Sequence, residues 1–351
     1  MIKTDIIIIG AGPAGLFAVF EAGLLKLRCH LIDILPNPGG QCSELYPKKP
    51  IYDIPGYPEI LAADLVKNLL NQCSQFQPGF TLGERAEKIS KNSKGLFTVV
   101  TDKGTTHQAP VVAIAGGLGG FQPRKPIINN IESYEEKGVS YFIKDPSLYK
   151  NKNVLIAGGG DSALDWTIEL ANIASNVTLI HRRNEFRGTL DSVEKVQELK
   201  NKNKIKLITP AEVVSLIGDD KLKSVEIKIE NLENITLDVD FFIPLFGLTP
   251  KLGPINDWGL EIEKKSIKVD NTLNYQTNVP GIFAIGDINT YPGKLKLILC
   301  GFHEAAMMCH SAYKIINPDK KLVLKYTTVS GVIGFDGSIK KAEPPIKKSI
   351  D

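Results

Sequence analysis

One pattern occurs twice in this chain and limits its possible folds more than any other feature. Residues 4–15 read Thr-Asp-Ile-Ile-Ile-Ile-Gly-Ala-Gly-Pro-Ala-Gly, then a helical run over 16–25 and an apolar strand over 29–33. Residues 153–163 read Asn-Val-Leu-Ile-Ala-Gly-Gly-Gly-Asp-Ser-Ala, then a helical run over 164–174 and a strand over 176–181. Both first strands are continuously apolar rather than alternating, which suits a parallel strand covered on both faces. Strand, Gly-rich turn, helix and second strand together make one β-α-β unit. Two such units predict an α/β chain of two Rossmann-like, three-layer ββα nucleotide-binding domains. The length, 351 residues, also exceeds what one core usually serves.

The two turns carry the dinucleotide fingerprint. In the first, Gly10 makes the tight turn, Gly12 lets the backbone approach a pyrophosphate, and Gly15 lets helix and strand pack closely. Ala14 completes that loop. The pyrophosphate then rests on the helix N-terminus, where free N–H groups and the dipole favour negative charge. Asp33 closes the second strand, at the distance expected of a ribose-binding carboxylate; a plain strand-end turn residue is the competing reading. In the second unit Gly158, Gly160 and Ala163 hold the same places, and the motif admits Ala in the third. Its second strand ends not in a carboxylate but in His181-Arg182-Arg183, with Arg187 beyond. A carboxylate there would repel a 2′-phosphate, whereas guanidinium groups bind one, often bidentately. Charge therefore sorts the sites: the acidic one suits FAD or NAD, the basic one NADP. A solvated loop is the alternative for the arginines.

The rest of the chain narrows the class. An apolar fraction of 43% and a charged fraction of 23% are ordinary for a globular enzyme. A net charge of +3, with no basic block, does not point to nucleic acid. The lysines at 340, 341, 347 and 348 read as a solvated tail. Neither a leader segment nor a membrane span is expected. The five cysteines are scattered without any Cys-x-x-Cys, which predicts a reduced cytoplasmic chain with no disulfide framework and no metal site. A Pro-rich stretch over 36–58 precedes a helix near 62–76, and strand-like runs fill 205–245. The glycines of 116–120 and the Val-Pro-Gly at 279–281 read as hinges between domains. Late in the chain, Ile285-Gly286-Asp287 ends a short apolar strand, followed by a helix from about 302 to 316. The strand end places the Asp287 carboxylate where it can hold a ribityl chain. Its return after the second unit implies a split first domain, 1–118 with 284–351, around an inserted domain, 119–283. An extension starts near 320.

Taken together, these segments resemble the thioredoxin-reductase-like flavoproteins and, within them, the compact (type 2) ferredoxin–NADP reductases of bacteria. The resemblance runs from residue 2 to about 330. It rests on Gly39-Gly-Gln41, Leu45-Tyr-Pro47, Ile51-Tyr-Asp-Ile-Pro-Gly-Tyr-Pro58, Gly158-Gly-Gly-Asp-Ser-Ala-Leu-Asp165, His181-Arg-Arg-x-x-Phe-Arg187 and Gly286-Asp-Ile-x-x-Tyr-Pro-Gly-Lys-Leu-Lys-Leu-Ile298. One departure matters. Thioredoxin reductases follow a Gly-Val-x-Tyr segment with a redox-active Cys-x-x-Cys, whereas Gly138-Val-Ser-Tyr141 here runs into Phe-Ile-Lys-Asp-Pro. Without the dithiol, electrons cannot pass to a disulfide by thiol exchange.

The resemblance implies FAD contacts at Asp33, Gln41, Tyr46, Ala86, Phe121, Asp287 and Thr328. It implies a catalytic-face role for Tyr52, stacked on one side of the flavin, and for Tyr326 over the other. His303 reads as helix packing. The implied activity passes hydride from NADPH to the flavin, then single electrons to ferredoxin or flavodoxin, in a cytoplasmic homodimer without nucleic-acid or membrane partners. Arg124, Lys125 and the C-terminal lysines offer basic surface for an acidic carrier. Two other readings stay open: an NADPH-dependent flavin reductase or diaphorase with no protein partner, and a non-catalytic dinucleotide sensor.

Overall fold

A computed structural model of the chain describes residues 1–120, 122–249, 251–322, 327 and 331–340. It divides into two compact units, Met1–Gly120 with Lys251–Asp351, and Phe121–Pro250.

The first unit opens with the strand β1 (Ile6–Ile9), the helix α1 (Pro13–Leu24) and the strand β2 (Cys29–Asp33). Every residue of both strands is buried, which is why their sequence shows no polar alternation. Helix α2 (Ala62–Ser74) crosses to β3 (Gly79–Leu82), which pairs parallel to β2. Three antiparallel strands follow, β4 (Ala86–Lys91), β5 (Phe97–Thr101) and β6 (Thr106–Ala109). Burial alternates along β5, as expected of a sheet with one face inward. Strand β7 (Val111–Ile114) then returns to pair parallel with β1, Val111 opposite Ile6.

The second unit repeats the plan. Strand β8 (Asn153–Ala157), helix α3 (Asp161–Leu170) and strand β9 (Asn176–Ile180) form its β-α-β core. Helix α4 (Leu190–Asn201) leads to β10 (Lys206–Ile208). An antiparallel meander follows, β11 (Ala211–Gly218), β12 (Leu222–Ile229) and β13 (Ile235–Asp238), before β14 (Phe241–Pro244) joins β8. The parallel sheet runs in the order β10-β9-β8-β14.

Back in the first unit, β15 (Ile282–Ala284) adds to β7, Val112 opposite Ile282, and gives a five-stranded parallel sheet in the order β15-β7-β1-β2-β3. Helix α5 (Ile298–Ile316) packs against α1. It starts a full turn before the position expected from the sequence. Each unit therefore carries helices, a parallel sheet and an antiparallel sheet, the three-layer arrangement expected.

The split differs from the expected one. Residues 251–283, expected with the inserted domain, cluster with the first unit. The outgoing and returning segments are tied on each side of the division. On the first unit's side Gly120 N–H donates to Lys251 O at 2.9 Å, and Lys251 N–H to Leu118 O at 3.0 Å. On the second unit's side Gln122–Pro123 pairs antiparallel with Leu248–Thr249. Gly119 has φ +70°, and a Cβ on it would lie 2.0 Å from Lys251 O, so only glycine serves there. The 279–281 turn is no hinge between units. It lies inside the first, where Val112 N–H bonds Gly281 O at 3.0 Å and a Cβ on Gly281 would strike the Phe97 ring at 2.8 Å. Of the C-terminal extension, the hairpin Val332–Ile333 with Ile339–Lys340 docks beside α2. There Phe335 N–H donates to Gln75 O at 3.0 Å, and its ring meets Phe76 edge-on.

Candidate functional site

The turn between β1 and α1 gives each glycine a separate reason. Gly10 has φ +111°, and a Cβ there would sit 2.4 Å from Ala115 O. A Cβ on Gly15 would sit 2.1 Å from Gly10 O, so helix and strand could not approach. A Cβ on Gly12 would meet nothing within 4 Å. The first and third glycines are thus required by the protein's own packing. The second is open, as a backbone that receives a pyrophosphate must be. Asp33 braces this turn. Its Oδ2 accepts from Ala11 N–H at 2.6 Å and its Oδ1 from Leu35 N–H at 2.9 Å. Burial pushes its carboxyl above the ordinary range, and these backbone donors oppose the rise.

The Pro-rich loop closes over the same turn. Gly39 N–H donates to Ala11 O at 2.8 Å, and a Cβ on Gly40 would lie 3.2 Å from the Gly12 Cα. Gly40 caps the one-turn helix Gln41–Glu44. The Gln41 amide lies beside Gly117: a Cβ there would come within 3.5 Å of its Nε2. Cys42 and Tyr46 follow, both held well above their ordinary pKa by burial and by the negative charge of Asp287 nearby; the Cys42 thiol is pushed up to about 12. This thiol is no nucleophile at neutral pH.

The Gly286–Asp287 turn reaches the site from the far end of the chain. Gly286 has φ +75°, and a Cβ there would lie 3.3 Å from that of Ala14. A Cβ on Gly301, in the first turn of α5, would touch the same Ala14 atom at 3.2 Å and the Gly286 Cα at 3.4 Å. Small residues from α1, the turn and α5 thus meet at one point. Burial raises the Asp287 carboxyl, Lys294 and Lys296 oppose the rise, and Glu304 adds to it.

Glu304 is a residue the sequence reading missed. It is fully buried at 0% exposure, with Lys294 at 5% beside it. Its Oε2 accepts from Gly286 N–H at 2.7 Å and from Asn289 Nδ2 at 2.9 Å. Its Oε1 accepts from Tyr291 O–H at 2.9 Å and from the Lys294 ammonium. A signal existed. Gly301, Glu304, Ala305, Met308, Cys309 and Ala312 form the buried face of α5, so one carboxylate interrupts an apolar helical stripe.

Other expected positions are less gathered. Tyr52 follows a two-residue strand, Pro50–Ile51, paired with Ile60–Leu61, and is 66% exposed. Ala86 is buried at the start of β4, beside a bulge opposite Thr101. Phe121, Tyr326 and Thr328 lie outside the described residues, as do the lysines at 341, 347 and 348. His303 is exposed on α5 and makes an edge contact with the Tyr275 ring.

In the second unit the glycine loop repeats the division of labour. A Cβ on Gly158 would lie 2.6 Å from Leu245 O and 2.7 Å from the Ala163 Cβ, whereas one on Gly160 would meet nothing within 4 Å. Arg182, Arg183 and Arg187 are exposed. Arg187 N–H donates to Gly159 O at 2.6 Å, which ties the arginine loop to the glycine loop. His181 lies under Gly159 and stacks on Phe186 with ring centroids 5.5 Å apart. Burial, then the adjacent Arg182, keeps this imidazole below its ordinary pKa, so it stays neutral beneath the cationic loop. Asp161 Oδ1 accepts from Thr189 N–H at 2.8 Å and fixes the far end of that loop on α3. Lys125 is engaged by Glu135, which also accepts from Tyr141 O–H, so the basic surface expected around Arg124 is partly neutralised.

Two open-centred glycine loops on parallel sheets, one closed by a carboxylate and the other by arginines, define a protein built to hold two different dinucleotides. The class is that of two-nucleotide oxidoreductase folds. A family model described as pyridine nucleotide-disulphide oxidoreductase matches residues 4–313, and the chain belongs to that family, on its ferredoxin–NADP reductase branch. A ferredoxin–NADP reductase of Flavobacterium johnsoniae is 70% identical over 350 residues, covering 100% of both chains. One of Parvibaculum lavamentivorans is 51% identical over 330 residues, covering 94% of this chain and 96% of its own. Among solved structures, a thioredoxin reductase of Lactococcus lactis in its FR conformation matches with a TM-score of 0.77 and 27% identity, over 90% of this chain and 100% of the other.

Proposed function

We propose that this chain is a ferredoxin–NADP reductase, with FAD resident on the first unit and NADP bound by the second. The observation that carries the reading is the opposite charge that closes two otherwise equivalent glycine loops, in a chain with no Cys-x-x-Cys. The full-length ferredoxin–NADP reductase relatives support the same acceptor. FAD, when bound, supplies two-electron exchange with a nicotinamide and one-electron exchange with a carrier.

The protein's part is position and charge. Gly12 and the α1 N-terminus receive the FAD pyrophosphate, Asp33 faces the ribose end, and Asp287 with Gln41 and Tyr46 brackets the flavin end. The family resemblance adds Ala86 at the adenine, Phe121 and Thr328 to the FAD contacts, and Tyr52 and Tyr326 as the aromatic residues of the two flavin faces. Gly160 and the α3 N-terminus receive the NADP pyrophosphate. Arg182 and Arg183 grip its 2′-phosphate, with Arg187 at the loop's edge. The acceptor is a ferredoxin or flavodoxin. A homodimer, which follows from the family resemblance, is checked by sedimentation. A cytoplasmic setting is supported by five cysteines that are all free thiols. Among the described residues no helix is long and apolar enough to cross a membrane.

Stopped-flow mixing tests the reading. NADPH is expected to bleach the flavin absorbance much faster than NADH, and added ferredoxin to restore it. Cytochrome c reduction that does not depend on ferredoxin would favour the diaphorase alternative. A colourless protein after expression with ample flavin would favour the sensor.

A further inference from the structure

The buried ion pair Lys294–Glu304 touches the candidate flavin site at a single residue. Glu304 Oε2 accepts from Gly286 N–H at 2.7 Å, and the Lys294 ammonium donates to Gly286 O at 3.0 Å. Both polar groups of one left-handed glycine are thus held by the two members of one ion pair. The next residue is Asp287. Turning the Gly286 peptides would swing that carboxylate away, and each rotation breaks a charge-assisted bond to a buried side chain. Asn289 and Tyr291 anchor the other lone pairs of Glu304, so its carboxylate cannot pivot.

Buried ion pairs are costly to desolvate and rarely repay that cost in stability against an apolar core. A pair kept at 5% and 0% exposure, bonded to the peptide groups of a binding turn, calls for another explanation. We infer that Lys294 and Glu304 are positioning residues: they act through Asp287 to set how tightly the flavin is held. The inference rests on the functional reading above. Lys294 does two things at once. It fixes the Gly286 carbonyl, and its charge favours the ionised form of the half-buried Asp287, against burial and the carboxylate of Glu304. Loss of Lys294 leaves the buried Glu304 carboxyl without its ion-pair partner, beside Asp287.

The test is a double-mutant cycle on flavin affinity. FAD release is read from its fluorescence as flavin-loaded protein is diluted. Lys294→Met is expected to weaken FAD binding about tenfold or more, and Asp287→Asn by a similar factor. The double variant should bind no more weakly than Asp287→Asn alone. Additive losses would show that Lys294 acts without Asp287 and would overturn the inference. Tyr291→Phe removes one donor to Glu304 and leaves the grip on Gly286, so its affinity should stay within about twofold; a tenfold loss there would likewise count against it. Should Lys294→Met fail to fold, Lys294→Arg carries the same cycle, since a retained charge with a displaced donor should weaken binding less and still not add to Asp287→Asn. Wild-type protein that takes up no FAD would sink the functional reading and this inference with it; tight wild-type binding with additive losses would sink the inference alone.

Discussion

The two glycine loops share a backbone plan and differ in what closes them. In the first, Asp33 turns inward: it is 8% exposed, and both its oxygens are taken by backbone N–H groups. In the second, Arg182 and Arg183 are exposed, and the preceding His181 packs under Gly159. The lesson is that the first closing residue is held by the fold as well as turned to the ligand, whereas the second pair is left to the ligand. A site meant to keep its nucleotide is braced from inside. One meant to exchange its nucleotide presents charge to solvent.

The largest test of this contrast is at the glycines. Gly10→Ala places a side chain at φ +111° and against a backbone oxygen, so a stability loss of about 3 kcal/mol or more is expected in urea unfolding. Gly12→Ala and Gly160→Ala meet open space and should leave the unfolding midpoint of the ligand-free protein unchanged while weakening FAD and NADP binding respectively. An unfolding midpoint shifted equally by all three would erase the distinction between packing glycines and ligand glycines.

A second test uses acid. The first unit buries His30 and His107, joined through Thr81 at 2.8 and 2.9 Å, with His107 fully buried. Burial, then the neighbouring His107, lowers His30 from 6.5 to about 4. A depressed histidine contributes stability that is present above the unfolded pKa near 6.5 and lost as pH falls through the folded value near 4. A loss of about 2–3 kcal/mol is expected across that window, read as flavin release before the second unit melts. His30→Gln should flatten the profile. An unchanged profile would place the acid sensitivity elsewhere.

The smallest expected effect lies at the outward pair. Replacing Arg182 and Arg183 by Ala should raise the NADPH KM about tenfold or more and leave NADH use and the melting temperature nearly untouched. Equal damage to both nucleotides would show that these arginines serve the fold, as Asp33 does.

Much of this was legible from sequence because local pattern and local chemistry agree. Continuous isoleucines at 6–9 are buried strand, and the glycines are turns. His181-Arg182-Arg183 lies at a strand end, where charge has few roles other than meeting a ligand. Two features escaped. The return to the first unit was expected at 284 because Val-Pro-Gly at 279–281 carries the signal of a break. In the structure Gly281 is needed for contact with Phe97, while the crossing lies at 251, beside the equally turn-rich Thr249-Pro250 and Gly253-Pro254. The clamp of Lys294 and Glu304 escaped because its members are separated by a loop and nearly two helical turns, a spacing that no short motif encodes. Only the carboxylate on the apolar face of α5 hinted at it.

The place of β15 has a consequence for how the chain is made. Its partner β7 is synthesised before the whole second unit, and β15 after it. During vectorial synthesis the nascent sheet of the first unit therefore waits with the β7 edge bare, while Phe121–Pro250 can close on itself. Bare edges invite pairing with foreign strands. A chain halted between β14 and β15 would carry that bare β7 edge beside a completed second unit, and only the emergence of Ile282–Ala284 covers it.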